Sequence, residues 1–250
     1  MCTLVILYRP GHDWPVLIAA NRDEMLDRAW SDPARHWPDR PEVVAGRDEL
    51  AGGSWLGVND HCVAAGILNR VGSLGPSEDM RTRGELVLDA LDHSDAAAAA
   101  EALSSLDGSA YLSFNLVLAD NSGAFWLRHD GAAAIHCEVI PPGYSMFTAH
   151  DRNSPDSPRV RRHLPRFEST PPPAPERHDW QSWEKLLASK EKDENSDSAE
   201  GAICVVTDLG FGTVNASLIA LPAASSPPRR PVWRFAAGPP SDFSFSVIEV

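Results

Sequence analysis

No apolar run in this chain approaches the ~20 residues that a membrane-crossing helix requires, so no spanning helix is expected. The apolar segment nearest the N-terminus, Leu4 to Tyr8, is short and follows no basic residue. A secretory signal needs a longer run and a charged start, so the protein reads as cytoplasmic. Positive charge is scarce: 22 Lys and Arg stand against 35 Asp and Glu, a formal net charge of −13. Tracking nucleic-acid phosphates or docking on an anionic membrane needs the opposite balance, so neither partner is expected. The four cysteines, Cys2, Cys62, Cys137 and Cys204, form no CxxC pair. That spacing argues against a zinc ribbon and gives no disulfide framework. The phosphate-binding loop, the dinucleotide-binding glycine fingerprint and the HExxH zinc motif are all missing. His136-Cys137-Glu138 lacks the second cysteine motif of a zinc deaminase, and Gly52-Gly53-Ser54-Trp55-Leu56 breaks the nucleophile-elbow pattern at its last residue. No metal site is expected.

What is present is an ordinary globular mixture, 43% hydrophobic and 23% charged over 250 residues, long enough to bury one sizeable core. We read residues 1–250 as a single domain. Leu4–Tyr8 and Val16–Ala20 read as two strands of a hairpin, and residues 27–54 as a long loop. Ser54–Val58 and Cys62–Leu68 form a second hairpin. Gly84–Leu91 has helical spacing, and Ser94 is the expected N-cap of the Ala-rich helix Ala96–Leu106. Strands follow at Tyr111–Ala119, Ala124–Arg128, Ala133–Ile140 and Tyr144–Ala149. Ser157-Pro158 starts a helix that Pro165 should end early, and Asp179 should cap another through Leu187. Residues 189–200, polar and without aromatics, read as a mobile loop. Strands return at Ala202–Thr207, Asn215–Leu221, Val232–Ala236 and Phe243–Val250. Blocks of strands alternating with blocks of helices favour an α+β protein of antiparallel sheets with helices outside. Two stacked sheets fit best, and one open sheet is the competing arrangement.

One feature carries chemistry. The chain begins Met1-Cys2-Thr3 and runs directly into a strand. Removal of Met1 would leave Cys2 with a free α-amine. Such an amine titrates at about 7.7–8.0, low enough to act as general base toward its own thiol. The strand behind it would hold Cys2 in place at a sheet end. Cys62, Cys137 and Cys204 sit in apolar runs and read as core residues.

Asn21-Arg22-Asp23-Glu24, together with Met1-Cys2, resembles the signature of the NRDE protein family, also called the transport and Golgi organisation two family. Further signatures follow in order. They are Ala45-Gly46-Arg47-Asp48 with Gly52-Gly53-Ser54-Trp55-Leu56-Gly57, then Arg83-Gly84-Glu85-Leu86-Val87, then Phe114 to Asp120. That family in turn resembles the choloylglycine hydrolases and penicillin V acylases, which are cysteine N-terminal nucleophile hydrolases. The resemblance implies a four-layer αββα sandwich and cleavage of a small amide or acyl substrate. It implies Cys2 as nucleophile, Asp23 as the contact of its amine, and Asn69 as an oxyanion donor. Arg22 would stand in for an arginine that those enzymes carry near Ala20. His150 would stand in for their second asparagine, with Asn153 nearby, and Val214 occupies the place of their late-strand arginine. Asn21, Trp55 and Arg70 are the candidate substrate-binding residues. A pairing of Asp23 with Arg28 is the competing structural role. No cofactor is required. The family also implies a second possibility: a non-catalytic carrier of haem, lipid or acyl-CoA on the same scaffold.

Overall fold

The computed structural model describes residues 2–73, 75, 80–192, 201–225 and 229–250. Among them are thirteen strands and four α-helices. The strands are β1 (Thr3–Tyr8), β2 (Val16–Met25), β3 (Trp30–Ala34), β4 (Val43–Asp48), β5 (Leu56–Asn59), β6 (Ala64–Asn69), β7 (Phe114–Ala119), β8 (Ala124–His129), β9 (His136–Val139), β10 (Gly143–Phe147), β11 (Phe211–Leu221), β12 (Val232–Ala236) and β13 (Ser246–Ile248). The helices are α1 (Gly84–Leu91), α2 (Ala96–Ser104), α3 (Pro158–Ser169) and α4 (Gln181–Leu187).

The strands make two antiparallel sheets. One has six strands in the order β10-β1-β2-β11-β12-β13, and the other has seven, β3 through β9 in sequence. Side chains alternate across a strand, and the alternation sorts the core into three layers. Leu4, Ile6, Ile18 and Leu56 fill the space between the sheets. Val5, Leu7, Leu17 and Ala19, on the other face of β1 and β2, pack against Trp183 and Phe167 of the α3–α4 layer. Ala65, Leu116 and Leu118 pack against α1 and α2. The result is the expected four-layer αββα sandwich. No helix among the described residues is long and apolar enough to cross a membrane.

Several local expectations need correction. The segment 27–54 is not a loop but holds β3 and β4. Pro33 concealed β3, which tolerates a proline because it is an edge strand whose register slips between Ser31 and Ala34. Helix α2 is capped by Asp95, which accepts from the Ala98 amide, and not by Ser94. Pro165 does not end α3, which runs on to Ser169. Val160, His163 and Phe167 anchor the buried face, while Pro165 and Arg161 lie on the exposed side, where water solvates the carbonyl that proline leaves unbonded. The N-cap of α4 is Trp180, not Asp179. Ala202–Val205 is buried but is not a strand, and the Val205 amide donates to the Thr213 Oγ1 in place of a ladder partner. Cys137 is exposed on edge strand β9 and Cys62 is only half-buried, so Cys204 alone of the three is a core thiol. The expected mobile loop lies outside the described residues from 193 to 200.

Candidate active site

Cys2 immediately precedes β1, a central strand of the six-stranded sheet, and packs at the margin of the inter-sheet core. Its thiol donates to the backbone carbonyl of Asp23 at 3.6 Å. It opens on a cavity of about 490 Å³ at one end of the sandwich, also lined by Arg22, Asn69, Trp55, Arg28 and Arg83. Burial pushes the Cys2 thiol above its ordinary value and the Asp23 charge adds to this, while the Arg22 guanidinium pulls the other way.

The register of β1 and β2 pairs Thr3 with Asn21. Alternation therefore sends Cys2 and Arg22 toward the cavity side and Thr3 and Asp23 toward the helix layer. Arg22 is 5% exposed. Its Nη2 donates to Asp48 Oδ2 at 3.0 Å, its guanidinium lies 4.2 Å over the Trp55 ring, and its buried Nη1 has no hydrogen-bond partner among the described residues. Arg28 reaches the same Asp48 oxygen at 2.7 Å, so Arg28 pairs with Asp48 and not with Asp23. Burial pushes Asp48 up, but the Arg28 bond, the Ala51 amide and both guanidinium charges outweigh it and hold the carboxyl below its usual value. Burial likewise lowers Arg22 against the opposing pull of Cys2, Asp48 and Glu24.

On the far face, Asp23 is closed off. Its Oδ2 accepts from Arg159 Nη1 of α3 at 2.9 Å and its Oδ1 from Thr213 Oγ1 at 2.7 Å. The same Arg159 nitrogen donates to Thr3 Oγ1 at 2.6 Å. Thr213 reaches this face through a β-bulge. Thr213 pairs with Asp23 and Asn215 with Arg22, leaving Val214 as the extra residue. β11 itself carries no arginine. Arg159, 2% exposed, supplies a buried positive charge at Asp23 from the helix layer.

The structure brings Cys2, Arg22, Asn69 and Trp55 to one cavity, with Asp23 at its wall. Asn21 borders a smaller second hollow with Cys2, Arg22 and Trp55, but its side chain donates to the carbonyls of Leu187 and Ile203, tying β2 to α4. Two expected residues, Arg70 and His150, are elsewhere. Arg70 bonds Asn115 Oδ1 and Asp151 Oδ1, both at 2.7 Å. It lines a separate hollow with His150, outside the Cys2 cavity. His150 therefore offers no oxyanion donor to Cys2. Nor does Asn153, which does not line the Cys2 cavity and whose Nδ2 donates to the Tyr144 carbonyl at 3.4 Å. The sequence reading missed Asp48, Arg28 and Arg83 as cavity residues, although Asp48 and Arg83 stood in quoted signatures. It also missed Arg159, for which no local signal exists.

In fold, this scaffold resembles that of the N-terminal nucleophile hydrolases. An N-acylethanolamine-hydrolyzing acid amidase ortholog from Caenorhabditis elegans superposes with a TM-score of 0.56 at 13% identity, covering 87% of this chain and 92% of that one. A conjugated bile acid hydrolase variant from Clostridium perfringens gives 0.52 at 9% identity, covering 100% and 97%. The family model for Transport and Golgi organisation 2 matches residues 1–220, and the chain belongs to that family. The mouse Transport and Golgi organization 2 homolog is 31% identical over 131 residues, 49% of this chain and 46% of its own length. The human homolog is 32% identical over 133 residues, 50% and 47%. The chain spans about half the length of the curated relatives it matches.

Proposed function

We propose that the chain is an N-terminal cysteine hydrolase acting on a small amide or acyl substrate. The observation that carries this reading is the Cys2 thiol at the mouth of β1, opening on a cavity beside the buried, incompletely bonded Arg22. With Cys2 as the mature first residue, its α-amine takes the thiol proton and the sulfur attacks the substrate carbonyl. The oxyanion is met by Asn69 and by the Arg22 Nη1. The amine leaves with the proton returned to it, and water hydrolyses the thioester. Asp23, clamped by Arg159 and Thr213, fixes the end of β2 against Cys2. A reducing cytoplasm suits a free thiol. The names of two structural neighbours, an amidase and a bile acid hydrolase, support acyl conjugates as the substrates to screen.

The test begins with the intact mass of the native protein and peptide mapping after mild alkylation. Mapping is needed because Cys137 is exposed and will label as well. Loss of Met1 with rapid labelling of Cys2 is expected. A Cys2→Ala variant should lose essentially all turnover of an N-acyl substrate panel, and full activity in that variant would sink the reading.

A carrier of lipid, acyl-CoA or haem is the second reading. It is favoured by the raised Cys2 thiol and by the exposed Met25, Leu26 and Leu209 near the β2–β11 end. Haem suits the cavity least. Cys2 is its one thiol donor and no histidine lines it among the described residues. A titration with haemin that gives no saturable change in the absorption band removes that version.

A further inference from the structure

We propose that Arg83 anchors a negative group on the ligand, so that the Cys2 cavity takes an acyl amide bearing one carboxylate. This deepens the proposed function and rests on the Cys2 cavity being the ligand site. The cavity's charges can be matched one by one. Arg22 and Arg28 share Asp48, with Glu24 at 3.9 and 3.7 Å. Arg81 pairs with Glu85 at 2.6 Å, and Asp23 pairs with Arg159. Arg83 alone among the cavity's four arginines has no carboxylate partner among the described residues. All three of its hydrogen bonds come from Nη1 and go to neutral oxygens: the Ser73 carbonyl, the Ser73 hydroxyl and the Ser113 carbonyl. Those bonds fix the guanidinium at the cavity wall and leave Nε and Nη2 to donate elsewhere. Among the described residues, the cavity that holds Cys2 thus carries a preorganised cation with no ion-pair partner, in a chain of net charge −13. A planar guanidinium with two free donors on one edge matches a carboxylate fork. Ile67, Leu112, Met80, Trp55 and Phe211 supply apolar wall for the remainder of such a ligand.

The carboxylate could sit on either side of the amide, and three probes separate the cases. N-Hexanoylglycine carries it on the amine side and adipic acid monoamide on the acyl side. N-Hexanoylethanolamine is the neutral control. Binding is measured by calorimetry on the Cys2→Ala protein, where turnover cannot interfere, and kcat/KM on the wild type. One of the two carboxylates should bind roughly 10- to 100-fold tighter than the neutral control. That preference should shrink with added salt, collapse in Arg83→Met and survive in part in Arg83→Lys. Equal binding of charged and neutral probes overturns the proposal. So does failure of both carboxylates to bind, or a preference that persists in folded Arg83→Met. If Arg83→Met does not fold, Arg83→Lys decides: an unchanged, salt-insensitive preference overturns the proposal. The failures are distinguishable. Arg83-dependent binding of a carboxylate without any turnover defeats hydrolysis and leaves this inference standing. Turnover of charged and neutral amides at equal kcat/KM defeats this inference and leaves hydrolysis standing.

Discussion

On one face of the six-stranded sheet, Cys2 and Arg22 look into an open cavity. On the other, Thr3 and Asp23, one residue along the same two strands, are sealed under α3. The cavity face holds a thiol bonded to the Asp23 carbonyl and an Arg22 nitrogen without a partner among the described residues, and its acids and bases are shared among several residues. The helix face holds an ion pair with 2% and 0% of its side chains exposed, braced by two threonines. The difference separates two tasks that neighbouring residues perform. The sealed face fixes the strand ends, and the open face keeps bonding capacity in reserve for a ligand.

Removing the clamp should have the largest effect on stability. Arg159→Ala removes the cation that bonds the buried Asp23 Oδ2, which costs about 3–5 kcal/mol, and Arg159→Met with Asp23→Asn should recover part of that. Urea unfolding measures both. A loss under about 1 kcal/mol would mean that the two faces do not differ in the way described.

Acid provides the next largest effect, again on the sealed side. His163 lies one turn beyond Arg159 on α3 and is fully buried. Burial, with the charges of Arg166 and Arg159, pushes its imidazole down to about 4. An unfolded histidine takes its proton near 6.5, so the unfolded state binds more protons between the two values. The stability contribution is intact above pH 6.5 and is lost as the pH falls toward 4, by about 3 kcal/mol in all. Unfolding midpoints across that window should show the slope, and His163→Gln should flatten it.

The smallest stability effect belongs to the cavity face. Arg22→Ala removes one charged hydrogen bond and the cover on Trp55, but Asp48 keeps Arg28 and two backbone amides. About 1–2 kcal/mol is expected, with a much larger fall in kcat/KM for any cleaved amide. Should Arg22→Ala destabilise the fold as much as Arg159→Ala, the division between the faces would be lost.

Apolar runs made β1, β2 and β5 to β8 legible, because these strands are buried on both faces over much of their length, and helical spacing did the same for α1. It failed for β3 and β4, where Pro33, Arg47 and Asp48 hide short strands at or near an edge. At 202–205 it failed in the opposite sense, since an apolar, buried run need not be a paired strand. Cys2, Arg22, Asn69 and Trp55 reach the cavity because strand ends position them. Arg70 does not, although it is the next residue after Asn69. It lies beyond the end of β6, where its amide donates to the Ser73 hydroxyl and its side chain swings to Asp151. Arg159 was illegible for a different reason. It meets Asp23 across 136 residues of chain, and no local pattern encodes that meeting.

The central position of β2 has a consequence for biosynthesis. One edge of β2 is taken by β1, which precedes it across a short turn, but the other waits for β11, whose Thr213 is 190 residues beyond Asp23. During translation the strand that carries Arg22 and Asp23 therefore presents an open hydrogen-bonding edge until most of the polypeptide has left the ribosome. Nascent chains and proteolytic fragments ending before Phe211 would expose that edge to other molecules. Closing so long a loop is a late and slow event, and the cavity beside Cys2 acquires its finished wall only then.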